Sequence, residues 1–233
     1  MWAGRVGALT LALMSAAALA APAAADTPVY SVPFDDPVAA AGAFGLTEGT
    51  TELDLGYGTA TFTPGALTID VAGNEQVFLE PDFGDQGIPT VPKDVAVEAT
   101  VASNSGGRSR QFGIACRAER NRGMYAFLVG VDGTYEVRRY DGVKSYGTNM
   151  VNPAKAKPTK AVDRSGPNVL RAECTGTKKA NLAFFVNGKK IVTVTDPKPP
   201  KGARAGDDAF VITEVRPTEP ATVVFSSFSV SAL

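Results

Sequence analysis

Between Phe112 and Tyr140 the chain reads FGIACRAERNRGMYAFLVGVDGTYEVRRY, and its apolar positions recur at every second residue. Phe112, Ile114 and Cys116 alternate with Gly113, Ala115 and Arg117, the period of a strand with one buried face and one outer face. Arg120-Asn121-Arg122-Gly123 then marks a turn into a second run, 124–131, and Asp132-Gly133, a strong hairpin signal, leads into Tyr135–Tyr140. Similar short runs recur at 59–62, 66–71, 76–80 and 94–101 before this stretch, and at 168–175, 181–186, 189–195, 209–213 and 222–231 after it. Asn187-Gly188 predicts a two-residue hairpin turn between two of them. About a dozen short strands separated by Gly, Pro and Asp predict an all-β fold of two antiparallel sheets, a single jelly-roll sandwich. One short helix is expected over 37–44, Ala-rich and capped by Asp35 or Asp36.

The start of the chain has a different pattern. Arg5 precedes an apolar stretch over 6–21 and a run of small residues ending at Ala25, the form of a secretory leader, so 1–25 is expected to be removed. The apolar stretch is shorter than the roughly 20 residues that span a bilayer. What remains divides into a lead-in over 26–33 and one jelly-roll domain over 34–233, exported and without a membrane anchor. Two loops interrupt the strand pattern. One, 152–166, carries Pro153, Pro158, Lys155, Lys157, Lys160 and Arg164; the other, 196–208, carries Pro197, Pro199, Pro200 and Gly202. Loops of this length are functional or mobile in most compact domains.

Composition narrows the chemistry. The chain has no histidine, which excludes a Ser-His-Asp or Cys-His triad and a His-ligated metal site. Its two cysteines, Cys116 and Cys174, sit in apolar strand patterns of an exported chain and are expected to form one disulfide. Trp2 lies in the leader, so the mature chain has no tryptophan for a sugar-stacking platform. Charge is uneven: 26–100 holds 13 acidic residues and one basic residue, Lys93, a net of −12, whereas 101–233 has a net of +10. In a jelly roll the two halves are expected to interleave and neutralise one another. No stacking or groove-reading pattern points to nucleic acid.

The segments FGIACRAERNRGMYAFLVGVDGTYEVRRY, NVLRAECTGTKKANLAFFVNGKKIVTV and VVFSSFSVSAL resemble the concanavalin A-like lectin/glucanase jelly roll. Within it the likeness is to bacterial secreted domains grouped with 3-keto-disaccharide hydrolases and to laminin-G-like modules. Cys116-Arg117, Tyr125 and Phe127, Asp132-Gly133, Tyr135 and Tyr140 fit that pattern, as do Leu170, Arg171 and Cys174, the hairpin 186–189, and Phe225, Phe228 and Val230. The resemblance implies the fold and a closing strand lying near Phe34-Asp35-Asp36. It implies either a carbohydrate-binding module or a glycoside-cleaving enzyme. The glucanase arrangement of two Glu and one Asp on one strand, with carboxylates about 5 Å apart, is absent here, since Glu98, Glu136 and Glu173 each stand alone. Asp35, Asp36, Asp82 and Asp85 lack the oxygen spacing of a calcium loop, so no metal or other cofactor is expected.

Alternation then predicts the outward residues. Arg117, Glu136, Arg138 and Tyr140 should leave one face. Arg171 and Glu173 should join them if the two cysteines bridge neighbouring strands, with Leu170, Ala172 and Cys174 facing the core. Arg117, Arg138, Tyr140, Arg171 and Glu173 therefore form the candidate ligand site, in which arginine and carboxylate meet sugar hydroxyls and the tyrosine ring meets an apolar sugar face. The same residues would also serve as a cross-strand charge ladder on a solvated sheet. The favoured reading is a secreted, monomeric, non-catalytic module whose partner is a glycan or an anionic cell-wall polymer. The alternatives are a 3-keto-type glycosidase with Glu98, Glu136 or Glu173 as base beside a metal, and a structural or host-interacting domain. Amino-terminal sequencing of the exported protein is expected to begin at Asp26; a chain that keeps its first 25 residues would refute the leader.

Overall fold

The computed structural model describes residues 26–32, 34–47, 49–72, 76–81, 91–106, 110–119, 123–142, 147–152, 157–200, 208–215 and 220–233; the leader, Asp82 and Asp85 lie outside them. The strands are β1 (Thr27–Val32), β2 (Glu52–Asp54), β3 (Gly58–Thr63), β4 (Ala66–Val71), β5 (Gln76–Leu79), β6 (Val95–Gly106), β7 (Arg110–Glu119) and β8 (Gly123–Gly130). They continue with β9 (Tyr135–Tyr140), β10 (Thr148–Asn149), β11 (Asn168–Thr175), β12 (Ala180–Val186), β13 (Lys189–Asp196), β14 (Asp208–Val215) and β15 (Ala221–Ala232). Helix α1 (Pro37–Ala43) starts where the pattern predicts. Asp36 is its cap, accepting from the Val38 and Ala39 N–H groups, and Pro37 occupies the first turn, where no backbone donor is needed.

The strands form two antiparallel sheets. The larger runs β13-β12-β11-β6-β15-β4-β3-β2, with β1 also on β15, and the smaller runs β10-β9-β8-β7-β14-β5. Neighbours far apart in sequence, such as β6 beside β15, are the jelly-roll crossovers. Between the sheets lies one core, containing Phe112, Ile114, Phe127 and Val137 from the smaller sheet and Leu170, Ala172, Phe184 and Phe225 from the larger. Phe34, Phe44, Phe62 and Phe228 close one end with ring centroids 5.4 to 6.3 Å apart.

The disulfide forms between Cys116 on β7 and Cys174 on β11. Those strands belong to different sheets, so the bridge is a staple through the core and not a link between neighbours. The next residue departs from alternation. Cys116 pairs with Tyr125 and Glu119 with Gly123, so Arg117 and Ala118 together face the single residue Met124 in a β-bulge. Arg117 adopts φ 52, in the left-handed region, and turns inward beside Cys116. Its Nε and Nη2 donate to the Lys93 carbonyl at 3.0 and 2.6 Å, and Nη2 also donates to Asp94 Oδ1 at 3.2 Å and the Cys174 carbonyl at 3.3 Å. The guanidinium is fully buried, and burial lowers its pKa against the opposing pull of Asp94. Nη1 has no hydrogen-bond partner among the described residues. Arg117 is thus an internal tie between the sheets, and its expected place on the outer face is corrected: the bulge adds one residue, and one residue reverses the facing of a strand.

Three smaller features refine the expected architecture. The lead-in is not outside the domain, because β1 pairs with β15 from Thr27↔Ala232 to Val32↔Phe228. Asn187-Gly188 is the two-residue turn predicted, with φ 50 and 73 as a type I′ turn requires. Asp132-Gly133 instead completes a three-residue loop in which Gly133 N–H donates to Gly130 O, Gly130 N–H donates to Thr134 O, and Gly133 takes the left-handed position. Replacing Arg117 by Ala strands the Lys93 and Cys174 carbonyls. It is expected to lower stability by about 3 kcal/mol, the scale for removing one partner of a buried charged contact. Arg171→Ala, at a partly exposed ion pair, is expected to cost about 0.5 kcal/mol; urea denaturation of the two variants checks the contrast.

Candidate functional site

The outer face of the smaller sheet is concave. Tyr140 on β9 and Phe78 on β5 lie four strands apart in the sheet order, about 19 Å on a flat sheet, yet their rings meet edge-on at 5.8 Å. Gln76 Nε2, also on β5, donates to the Tyr140 hydroxyl at 2.8 Å. The sheet curls enough for its edges to touch because the floor between them is small: Gly113, Ala115, Ala118 and Ala126 are all buried. A Cβ at Gly113 would stand 2.0 Å from the Phe127 carbonyl oxygen, so no larger residue fits there without moving backbone. Leu128 and Met124 complete the apolar part of this face.

Upon that floor stands a closed ring of polar groups. Arg138 Nε donates to Glu136 Oε2 at 2.5 Å, Arg138 Nη2 donates to Gln111 Oε1 at 3.2 Å, and Gln111 Nε2 donates to Glu136 Oε1 at 3.2 Å. Glu136 and Arg138 are two residues apart on β9, and Gln111 reaches them from β7 across Gly130, the position paired with it on β8. Arg138 and Tyr140 leave the main core as alternation predicts, but they are 2 % and 4 % exposed, and Gly147 packs against the Tyr140 ring. Gln76, Gln111 and Phe78 were not legible as site residues, because their membership depends on which strands the curvature brings together.

Arg171 and Glu173 lie elsewhere. They project from β11 on the outer face of the larger sheet, so the single cluster expected from sequence is divided between opposite faces of the sandwich. Arg171 Nη2 contacts Asp26 at 2.6 Å and Glu173 at 3.1 Å, and Nη1 lies 4.0 Å from Glu98. Burial would lower the Arg171 pKa, but Asp26 and Glu173 outweigh it and the net shift is upward. Glu98 and Glu173 therefore share one arginine on the convex side while Glu136 occupies the concave side, and the three do not form a common carboxylate site. No group of three or more His, Cys, Asp or Glu suited to a metal occurs among the described residues.

A second polar cluster sits at the end of the sandwich. Tyr125 donates to Asp196 Oδ2 at 2.8 Å, and Arg139 Nη1 reaches the same oxygen at 3.2 Å. Lys198 N–H donates to Asp196 Oδ1 at 2.9 Å. Burial, then the hydrogen bond to Asp196, pushes the Tyr125 phenol far above its ordinary value, so it stays a donor. Tyr125 and Asp196 are both buried, and this cluster anchors the end of β13.

No family model matches the chain, and no curated protein matches it. Solved structures do. The alginate lyase Aly36B superposes with a TM-score of 0.53 at 10 % identity over 87 % of this chain and 97 % of that one. A variant of that lyase in complex with an alginate tetrasaccharide gives 0.51 at 9 % identity over 89 % and 98 %. A putative beta-glucanase from Mycobacterium abscessus gives 0.50 at 14 % identity over 87 % and 99 %. The chain has the concanavalin A-like jelly-roll fold. If the Gln111, Glu136 and Arg138 side chains act as one ring, their replacements will not add: a cycle of Gln111→Ala, Glu136→Gln and the double variant is expected to show a coupling of about 1 kcal/mol by urea denaturation, and strict additivity would show the ring to be absent in solution.

Proposed function

We infer that this protein is a secreted glycan-binding module whose ligand site is the concave face of the smaller sheet. The observation that carries the reading is the ring of partly exposed Gln111 and Glu136 around the buried Arg138, extended by the Gln76–Tyr140 pair, on the outer side of a sheet. The main core between the sheets does not use the ring, and a sheet face that merely met water would not bury Arg138. Burying it costs free energy unless every group finds a partner. A sugar offers what such a face recognises: hydroxyls that take bidentate contacts from guanidinium, carboxylate and amide, and an apolar ring face that packs on the partly exposed Phe78, which Tyr140 backs. Of the residues expected from sequence, Arg138 and Tyr140 remain in the site, and Glu136, Gln111 and Gln76 join them. The polysaccharides named for structures of the same fold, alginate and beta-glucan, are of this ligand class, and that supports the reading by analogy of fold alone. The leader pattern over 1–25 supports export, which places the module where extracellular polymers are met.

The test is a glycan array with a thermal-shift panel of neutral polysaccharides, run on the mature chain. A hit is expected to disappear in Arg138→Ala and in Tyr140→Ala and to survive Arg171→Ala. A hit that survives the first two, or that Arg171→Ala removes, would move the site away from the concave face. Depolymerisation of the bound polymer that stops in Glu136→Gln would replace binding by catalysis.

A further inference from the structure

Charge is separated along the larger sheet. Residues 49–72, which form β2 to β4, hold exposed Glu52, Asp54 and Asp70 and no Lys or Arg. At the opposite edge β13 opens with exposed Lys189 and Lys190. Eight strands in this order set the two edges about 34 Å apart at the ordinary strand spacing. The interleaving of acidic and basic halves expected from sequence occurs in the middle of this sheet, where Asp26 and Glu98 meet Arg171, but it does not reach the edges. Its edges carry opposite charge and stand several screening lengths apart, beyond mutual neutralisation in physiological salt.

The loop before β11 adds to the basic edge. Asn187 Nδ2, in the turn between β12 and β13, donates to the Ala161 carbonyl at 2.8 Å, and Thr159 N–H donates to the Gly133 carbonyl at 2.8 Å. Asn168, fully buried, accepts from Asp163 N–H and donates to the Asp163 and Gly166 carbonyls. These bonds hold the loop against the sandwich and set Lys157, Lys160 and Arg164 at the same end as Lys189 and Lys190. Two acids, Asp163 and Asp132, lie at the same end and are held in the anionic form. Asp163 accepts from Ser165 and Gly166 N–H groups, which lower its pKa, and Asp132 accepts from Thr134. None of the five cations is in an ion pair among the described residues, and each is exposed. Arg164 Nη2 donates to the Asp132 carbonyl at 3.2 Å and its charge acts on the Asp132 carboxylate, and the four lysines outnumber the two acids, so this hydrogen-bonded frame carries a net cationic surface that shares no residue with the concave cleft.

We propose that this end of the larger sheet docks an acidic polysaccharide, a sugar polymer with repeating carboxylate groups. Such a polymer exchanges its condensed counterions for fixed lysines and gains affinity without needing a cavity. Nucleic acid is the less suitable polyanion here: the aromatic ring among these cations, Phe185, is already covered by Lys190 Nζ at 5.1 Å, so no open stacking platform adjoins the lysines. The surface works whether or not the concave cleft binds sugar.

The experiment measures binding of the mature chain to immobilised polygalacturonate, with dextran and single-stranded DNA as comparators, across a salt series. Binding to polygalacturonate at low salt, falling linearly in log–log form as salt rises, is expected. Combining Lys157→Gln, Lys160→Gln, Lys189→Gln and Lys190→Gln should lower affinity about tenfold or more and flatten the salt slope, with the thermal midpoint unchanged. Lys178→Gln with Lys179→Gln, at the opposite end of β11 and β12, should change it less than twofold. The four-lysine variant should keep any binding of neutral glycans, which separates this surface from the cleft. No binding at low salt, an equal loss in the Lys178/Lys179 variant, or stronger binding to DNA than to polygalacturonate would each overturn the proposal.

Discussion

The structure depends on two consecutive residues of β7 both facing inward. In a regular strand Cys116 and Arg117 would leave opposite faces, and only one could reach the other sheet. The bulge lets both do so. Cys116 reaches β11 covalently and closes a span of 58 residues, which in the chain-entropy view stabilises the fold by about 4 kcal/mol. Arg117 reaches the same corner through Lys93, Asp94 and Cys174, and Asp94 in turn accepts from Gly176 N–H at 2.8 Å. A buried guanidinium costs several kcal/mol to desolvate, so this tie holds only because carbonyls and a carboxylate converge on it. The same bulge sets the phase of the rest of β7: Ala118 faces outward and becomes part of the concave floor, where a longer side chain would fill the cleft.

The pair Glu136-x-Arg138 and the pair Arg171-x-Glu173 have the same spacing on a strand and opposite environments. On the concave face the ion pair is 2.5 Å long with side chains 3 % and 23 % exposed; on the convex face it is 3.1 Å with 24 % and 29 %. Identical local sequence logic therefore yields a shielded, strongly oriented pair in one place and a solvent-screened ladder rung in the other. The difference arises from sheet curvature. Curvature here comes from small residues on one face and from the edge-to-edge contact of Phe78 with Tyr140.

That difference explains which features are legible in the sequence and which are not. Period-two alternation identifies strands and their buried faces, and it does so for β4, β11 and β12 residue for residue. Turn chemistry at Asn187-Gly188 and the cap at Asp36 are local and equally legible. Alternation has no memory across an inserted residue, which is why Arg117 reads as outward and is not. It also assigns faces within a strand and not between sheets, so Arg138 with Arg171 reads as one cluster when the sandwich holds them apart. The short strands β1, β2 and β10 carry too few alternating positions to stand out from loop. Gln76 and Gln111 sit 35 positions apart and enter the cleft through a topology that no local pattern encodes.

Long-range charge and short-range shape are divided between different parts of this molecule. In the ring of Gln111, Glu136 and Arg138 the carboxylate and the guanidinium carry opposite charges at contact distance, so a ligand there would be selected by hydrogen-bond geometry more than by long-range field. The cations around Asn187 do the reverse: they outnumber the two acids beside them, Asp132 and Asp163, and their field extends about 8 Å into physiological salt. An acidic polymer approaching the sandwich would be drawn to this edge and turned away from the β2 edge, some 34 Å off, before any cleft contact formed. Steering of this kind raises encounter rates more than it raises final affinity. If both proposed surfaces bind, a polymer held at one end of the larger sheet would be kept at high local concentration for the smaller one, and the rigid, disulfide-stapled frame would present a bivalent site to a chain long enough to reach both.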